Sequence, residues 1–105
     1  MSVVDRLYAA LNAHDVEGFV ACYTPDATIE DGHDRVLARG QAGLRERLDA
    51  MLEEHPAAQW ELLTRIETGP FVVQHEEVVG RGATTRQVCV YLLDGDLIVR
   101  ERVLA

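Results

Sequence analysis

The hydrophobic period of the chain changes at Pro56, and this change constrains the fold more than any other feature of the sequence. Before Pro56, apolar residues recur at the three- and four-residue spacing of amphipathic helices. After Pro56 they alternate with polar residues, which is the pattern of half-buried strands. The spacing predicts helices over residues 3–13, 16–23 and 41–54, and strands over residues 60–67, 71–79, 86–93 and 97–104.

Three helices followed by strands that are linked by hairpins predict an α+β domain. Two further short strands are predicted at 27–31 and 35–39, and Thr24-Pro25-Asp26 before them is predicted to be a turn. Asp94-Gly95 is a strong signal for the last hairpin. A chain of 105 residues is long enough for one hydrophobic core, so residues 1–105 are predicted to form one domain.

The composition argues against nucleic-acid and membrane partners. The formal net charge is −8, with ten Arg and no Lys, whereas proteins that bind nucleic acids need positive charge to neutralise phosphates. No stretch reaches the roughly 18 apolar residues of a membrane span. The N-terminus has no apolar signal core, so the protein is expected to be cytoplasmic.

Two cysteines, Cys22 and Cys89, lie far apart in the sequence and have no metal-ligand spacing. They are predicted to be free thiols in the core. His33 and His75 show no ligand spacing either, so no metal site is predicted.

Several segments together resemble the SnoaL-like, or nuclear-transport-factor-2-like, superfamily. The resemblance rests on residues 9–19, on residues 23–31, on Arg39-Gly40 and on residues 94–98. It implies a cystatin-like cone, in which a curved, mostly antiparallel sheet wraps around three N-terminal helices and leaves a pocket between them. It also implies a homodimer that forms through the outer face of the sheet.

Within the superfamily, the motifs are most similar to ketosteroid isomerase-like and limonene-epoxide-hydrolase-like enzymes. Asp31 falls where the isomerases carry a general-base aspartate, and Tyr23 falls where some carry a supporting tyrosine. The two oxyanion donors of the isomerases fall at Leu7 and Cys89, so the base matches and the oxyanion hole does not.

The catalytic set of the epoxide hydrolases does not match this chain either. Its Asp-Arg-Asp positions read Val79, Glu77 and Arg102 here. The resemblance therefore implies the fold and a pocket more strongly than it implies one reaction.

Asp31 is the first candidate for chemistry. In a strand it shares one face with Ala27 and Ile29, which would put a carboxylate at the end of an apolar row. Desolvation would raise its pKa toward working pH and make it a general base. The alternative is that Asp31 caps the turn at Gly32 or His33, or pairs with an arginine.

Period-two geometry and the resemblance together predict one set of inward side chains on the strands. The complete predicted set is Ala27, Ile29, Asp31, Trp60, Leu62, Thr64, Ile66, Val73, His75, Glu77, Val79, Cys89, Tyr91, Leu93, Ile98, Arg100, Arg102 and Leu104. The polar members would converge in an apolar concavity, which is typical of a small-molecule site.

The placement of the two arginines in this set depends on the register of the last strand. A shift of one residue would put Arg100 and Arg102 on the outer face and Glu101 inside. Inside the cone, they could hold an anion or simply pair with Glu77 and Asp31.

The leading hypothesis is an isomerase, cyclase, dehydratase or hydrolase that uses no cofactor and no metal. Asp31 would move a proton, and Arg102 and Tyr23 would stabilise the developing negative charge. A hydrophobic small molecule would contact the ligand-binding set His75, Glu77, Tyr91, Arg100 and Trp60. The alternatives are a non-catalytic binder of small ligands and a dimerisation domain with a filled interior.

Overall fold

The chain forms three helices, and the first two begin at residues whose side chains cap them. In this computed structural model, which describes residues 2–105, α1 covers Val3–Asn12, α2 covers Val16–Val20 and α3 covers Gly40–Glu54. At the start of α1, the Ser2 hydroxyl accepts a hydrogen bond from the Asp5 amide at 3.3 Å, and the Asp5 carboxylate accepts one from the Ser2 amide. This reciprocal capping box satisfies two backbone donors that a helix start leaves free.

Six strands form one curved sheet against the helices. They are β1 (Tyr23–Asp31), β2 (Val36–Arg39), β3 (Gln59–Thr68), β4 (Phe71–Val79), β5 (Thr85–Asp94) and β6 (Leu97–Leu104). Their order in the sheet is β2-β1-β6-β5-β4-β3, and only β1 and β6 run parallel. The predicted α+β class with an antiparallel-rich sheet around N-terminal helices is confirmed.

The predicted turn at Thr24-Pro25-Asp26 is wrong, because β1 already begins at Tyr23. The pairing of β1 with β6 is interrupted between Tyr23 and Thr28. Proline has no amide hydrogen and is accepted in a strand where ladder pairing is interrupted. Pro25 therefore marks an irregularity inside β1.

A bulge on β6 decides which side chains of this strand face the helices. Leu92 pairs with Arg100 and Leu93 pairs with Ile98, so Val99 is an extra residue on β6. One extra residue exchanges the two faces for the rest of the strand. Ile98 and Glu101 are both buried as a result.

The predicted inward positions of Arg100 and Arg102 are therefore wrong, and the alternative register with Glu101 inside is confirmed. Arg100 is exposed and Arg102 is half-buried, and both lie on the outer side of the sheet. In β6 the inward side chains after the bulge are Glu101 and Val103, which line the interior of the cone.

In β4 the predicted and observed faces are also exchanged. The buried row is Val72, Gln74, Glu76 and Val78, whereas Val73, His75, Glu77 and Val79 lie on the other face. Each row contains two valines and two polar residues, so alternation alone favours neither. The inward prediction for His75 and Glu77 is therefore wrong.

The buried row of β4 is stabilised by polar partners inside the cone. Gln74 is fully buried, and its Oε1 accepts a hydrogen bond from Arg65 Nε at 2.5 Å. Arg65 Nη2 lies 2.8 Å from the Asp5 carboxylate at the start of α1. The bond from Arg65 satisfies the oxygen of the Gln74 amide, whereas Gln74 Nε2 is buried without a hydrogen-bond partner in the described structure.

A bulge on β3 corrects the predicted positions of two further residues. Leu62 pairs with Glu76 and Thr64 pairs with His75, which leaves Leu63 as an extra residue. Thr64 and Ile66 consequently lie on the outer face beside His75.

The apolar core lies between the helices and the concave face of the sheet. The prediction for the two cysteines is confirmed, because Cys22 and Cys89 are both free and buried in this core. Among residues 2–105, no helix is both long enough and apolar enough to cross a lipid bilayer.

Candidate functional site

A small cavity lies inside the cone, between the helices and the sheet. It has a volume of about 80 Å³. Its lining is Leu11, Phe19, Ile29, Arg47, Leu48, Met51, Trp60, Glu76, Arg81, Gln87, Tyr91, Glu101 and Val103. Apolar and aromatic side chains thus surround two carboxyl groups, and this composition is typical of a small-molecule site.

Glu101 is the most perturbed acid of this cavity. It is 8% exposed, and the Tyr23 hydroxyl donates a hydrogen bond to its Oε1 at 2.5 Å. Burial raises the pKa of Glu101 to about 7, because desolvation disfavours the ionised form. The hydrogen bond from Tyr23 and the charge of Arg47 act in the opposite direction, whereas Glu76 raises the pKa further.

Glu76 is the second buried carboxyl group and is 2% exposed. The Tyr8 hydroxyl donates a short hydrogen bond to Oε1, and Gln87 Nε2 donates one to Oε2 at 2.7 Å. Both oxygens of Glu76 therefore have a donor from the protein itself.

Cys89 is buried close to the two carboxyl groups. Gln87 Nε2, which donates a hydrogen bond to Glu76, also donates one to Cys89 Sγ at 3.9 Å. Burial raises the pKa of Cys89, and the negative charges of Glu101 and Glu76 raise it further. The thiol therefore stays protonated at neutral pH and does not act as a nucleophile.

Three tyrosines around this network also keep their protons. Burial is the largest cause that raises the pKa of Tyr8, Tyr23 and Tyr91, and nearby carboxylates add to it. Tyr8 and Tyr23 therefore serve as neutral hydrogen-bond donors to the acids.

Three of the residues predicted from the sequence meet at this cavity. Trp60 and Tyr91 line it, and Tyr23 lies behind Glu101. The structure thus brings Tyr23 together with a glutamate, whereas the sequence predicted a site in which Tyr23 accompanies Asp31.

Asp31 does not line the cavity. Its Oδ1 accepts hydrogen bonds from the amides of His33 at 2.8 Å and Arg35 at 3.0 Å, and its Oδ2 lies 2.7 Å from Arg35 Nε. These hydrogen bonds and the Arg35 charge outweigh desolvation and hold the pKa of Asp31 below its usual value. The predicted rise in pKa is wrong, and the alternative of a turn-capping, ion-paired aspartate is confirmed.

The remaining predicted site residues lie outside the cavity. Arg102 Nη2 lies 3.0 Å from a Glu30 oxygen and 2.8 Å from an Asp34 oxygen. Glu77 pairs with Arg86 at 3.2 Å. Arg102 and Glu77 lie on the outer side because β6 and β4 point these positions away from the helices.

His75 and Arg100 also lie on the outer side of the sheet. His75 lines a shallow hollow there, and Arg100 is exposed. Neither faces the cavity inside the cone, where the sequence predicted them.

The charged and amide residues that line the cavity but were not predicted from the sequence as site residues are Glu76, Gln87, Glu101, Arg47 and Arg81. Tyr8, which donates a hydrogen bond to Glu76, was not predicted as a site residue either. The inward position of Glu101 could have been predicted from the sequence. Glu101 alternates with Leu97, Val99 and Val103, which are all apolar. Glu76 had no such signal, because both rows of β4 contain the same mixture of valines and polar residues.

The described part of the chain contains no group of three or more His, Cys, Asp or Glu side chains placed to hold a metal ion. The chemistry that the cavity's own side chains offer is that of carboxyl, phenol and guanidinium groups.

The fold and the cavity define a class: a small α+β cone that encloses buried acids and phenols. The sequence profile of the SnoaL-like domain matches residues 4–101, and the chain therefore belongs to the SnoaL-like family.

Solved structures show the same architecture. An uncharacterised cystatin-fold protein from Novosphingobium aromaticivorans is similar with a TM-score of 0.91 and 27% identity, over 100% of this chain and 99% of that one. A candidate polyketide cyclase from Sinorhizobium meliloti is similar with a TM-score of 0.85 and 19% identity, over 96% and 92%.

A candidate ketosteroid isomerase from Kribbella flavida is similar with a TM-score of 0.82 and 16% identity, over 97% of this chain and 73% of that one. At such low identities, the likenesses to the cyclase and the isomerase show a shared fold alone.

Proposed function

We propose that this SnoaL-like protein is an enzyme that moves a proton on a small carbonyl compound, with Glu101 as general acid and base. One observation carries the proposal: a buried carboxyl group lines the cavity, and its pKa is about 7. An acid–base catalyst works best when its pKa is near the operating pH. We therefore assign to Glu101 the role of general base that the sequence predicted for Asp31.

In the proposed reaction, the Glu101 carboxylate removes a proton from the carbon beside a carbonyl group. The electron pair of the broken C–H bond forms a C=C bond, and the carbonyl oxygen takes the negative charge as an enolate. Protonated Glu101 then returns the proton to a carbon, which restores both the carboxylate and the carbonyl. Where the substrate also has a C=C bond conjugated with the enolate, return of the proton to the far carbon of that bond moves the C=C bond and isomerises the compound.

The surrounding residues support this step. Tyr23 is a positioning residue, since its hydroxyl holds one oxygen of Glu101 at 2.5 Å and leaves the other for the substrate. Tyr91 lines the cavity with a phenol that stays protonated and would stabilise the enolate oxygen. Two similar structures are described as a candidate cyclase and a candidate ketosteroid isomerase, which favours this reaction class.

Deuterium exchange on a panel of carbonyl compounds tests the proposal. Each compound is incubated with the protein in D₂O, and proton NMR follows the loss of the hydrogens beside the carbonyl. We expect exchange above the protein-free rate for at least one compound. Glu101→Gln should slow this exchange by about a hundredfold or more, because the substitution removes the base.

Asp31→Asn is the matched control, since it changes a carboxylate into an amide outside the cavity. We expect this variant to exchange at the wild-type rate. Exchange that survives in Glu101→Gln, or that is lost only in Asp31→Asn, would contradict the assignment of the base.

A second candidate is a binding protein that performs no reaction, since the apolar lining of the cavity is that of a small-molecule site. Pockets for drug-sized ligands measure roughly 300–1,000 Å³, whereas this cavity measures about 80 Å³. A ring-bearing hydrophobic ligand would require side chains such as Met51 to move. A thermal-shift screen with steroid, terpenoid and aromatic polyketide analogues tests this candidate, since a ligand at a hundred times its dissociation constant adds about 2.7 kcal/mol to stability.

We also propose that two copies associate through the outer face of the sheet. Ile66 is 60% exposed and Phe71 is 41% exposed on this face. Beside Ile66, a shallow hollow is lined by Thr64, Val73, His75 and Val88. A sheet with apolar residues on both faces requires a cover on each, and a second copy would supply the outer one.

A further inference from the structure

Two arginines stand at the solvent side of the cavity, in a protein whose net charge is −8. Arg47 is exposed on α3, one helical turn before Met51, and both side chains line the cavity. Arg81 is half-buried in the turn between β4 and β5 and also lines the cavity. A guanidinium group pairs well with a carboxylate, so these two arginines are candidates to bind an anionic ligand.

The carboxyl groups and the guanidinium groups of this cavity differ in the hydrogen-bond and ion-pair partners that the protein gives them. Glu76 has donors on both oxygens, and Glu101 has the Tyr23 hydroxyl. Within residues 2–105, Arg47 has no hydrogen bond or ion pair with another side chain, although its charge lowers the pKa of Glu101. Arg47 is therefore a cation beside the cavity that could pair with an anionic group of a ligand.

Backbone packing fixes the position of Arg81. A Cβ atom on Gly80 would lie 2.0 Å from the Ala57 carbonyl oxygen, so the turn packs directly against the segment that follows α3. Arg81 Nη2 also donates a hydrogen bond to Thr85 Oγ1 at 2.7 Å. The remaining N–H groups of its planar fork are available to a carboxylate.

We propose that the ligand is a small carboxylate that carries a carbonyl group, and that Arg47 and Arg81 bind its carboxylate end. The carbonyl end would reach inward toward Glu101 and Tyr91, past the apolar side chains. The small cavity volume fits a short compound of this kind better than a steroid. The inference rests on the proposed proton transfer, because it names the substrate class of the same site.

Levulinate and its methyl ester form a suitable probe pair, since both have the same carbonyl skeleton and only levulinate has a charge at neutral pH. Binding is measured by NMR titration, and reactivity by deuterium exchange beside the ketone. We expect wild-type protein to bind and exchange levulinate in preference to the ester. Arg47→Met and Arg81→Met should each weaken levulinate binding by about tenfold and leave ester binding unchanged.

Arg45→Met is the matched control on the same helix. Arg45 forms a two-point ion pair with Glu17 on the outside of α3 and does not line the cavity. This variant should bind levulinate as the wild type does.

The outcomes separate the inference from the proposed function. Equal binding of acid and ester, no binding of either probe, or unchanged levulinate binding when both cavity arginines are replaced would overturn the anion site. Arginine-dependent levulinate binding without exchange, or with exchange that Glu101→Gln does not slow, would support the anion site and overturn the proposed proton transfer.

Discussion

At the scale of single residues, the pKa values of two carboxyl groups of this protein are shifted in opposite directions, although desolvation raises both. Glu101 has few compensating partners, so desolvation raises its pKa to about 7. Asp31 accepts three hydrogen bonds at the β1–β2 turn, so its pKa is lowered. Hydrogen bonds to a carboxylate favour the ionised form, whereas desolvation favours the protonated form.

Glu101 is expected to make the folded state less stable as the pH rises. Its folded pKa of about 7 lies above the ordinary value of 4.5, so between these values the folded state binds more protons than the unfolded state. The stabilisation is fully present below about pH 4.5 and is lost as the pH passes through about 7. The total loss is about 3 kcal/mol, because one pKa unit corresponds to ~1.36 kcal/mol.

Chemical denaturation of wild type and Glu101→Gln across this pH range measures the effect. We expect the free energy of unfolding of the wild type to fall relative to the variant as the pH rises. Glu61→Gln is the control, because Glu61 is exposed on β3. A constant difference between wild type and Glu101→Gln would show that Glu101 does not titrate in this range.

Asp31 should show the opposite dependence. Its folded pKa is lowered below 3.8, so the stability that it contributes is present above the unfolded pKa and is lost as the pH falls through the folded value. Asp31→Asn should therefore be less stable than wild type at neutral pH, and the difference should vanish in acid. Urea denaturation at neutral and acidic pH measures it, and a difference that persists unchanged below the folded pKa would indicate that the ion pair with Arg35 is not its origin.

At the scale of secondary structure, single extra residues decide which side chains enter the cavity. Val99 on β6 turns Glu101 inward and Arg100 outward. Leu63 on β3 places Ile66 on the outer face. Bulges change the direction of side chains and are common near functional sites. Here the bulge at Val99 turns Glu101 into the cavity.

The turn between β4 and β5 provides a test at this scale. Gly80 has φ of +81°, and a Cβ there would meet the Ala57 carbonyl oxygen, whereas Gly82 has φ of +91° and open space around it. Gly82→Ala should cost about 1–2 kcal/mol through backbone strain alone. Gly80→Ala should cost more, because the turn must also move away from Ala57.

Urea denaturation of both glycine variants measures this difference. Gly80→Ala should also weaken levulinate binding, because the displaced turn carries Arg81. Equal stabilities of the two variants would show that the close approach to Ala57 contributes nothing.

At the scale of the whole molecule, the sheet has apolar residues on both faces, but the helices cover only one of them. Helices cover the concave face, whereas the outer face of the described structure leaves Ile66, Phe71 and Leu104 exposed. Large exposed apolar side chains on a sheet favour association between copies.

Ile66→Arg tests this association, because a charge at the centre of the proposed interface would be desolvated without a partner. Sedimentation equilibrium should show a dimer for wild type and a monomer for this variant. Leu37→Arg is the control, since Leu37 is 38% exposed on β2, at the opposite edge of the sheet. A wild-type monomer, or a dimer that persists in Ile66→Arg, would contradict the proposed interface.

The sequence by itself determined the order and type of the elements, the α+β class and the burial of Trp60, Tyr91 and both cysteines. These features depend on local periodicity, turn residues and apolar content, which can be read along the chain. The resemblance of residues 9–31 to the SnoaL-like family was carried by the same local motifs.

Only the tertiary structure decided which polar side chains meet in the cavity. The faces of β4 and β6 depend on a bulge at Val99 and on partners such as Tyr8 and Gln87, which are distant in sequence from the acids they contact. Asp31 and Glu101 are both carboxylates in strands, but one meets turn amides and an arginine, and the other meets a phenol in an apolar cavity. Their pKa values differ because those surroundings come from packing between elements, which alternation along one strand does not encode.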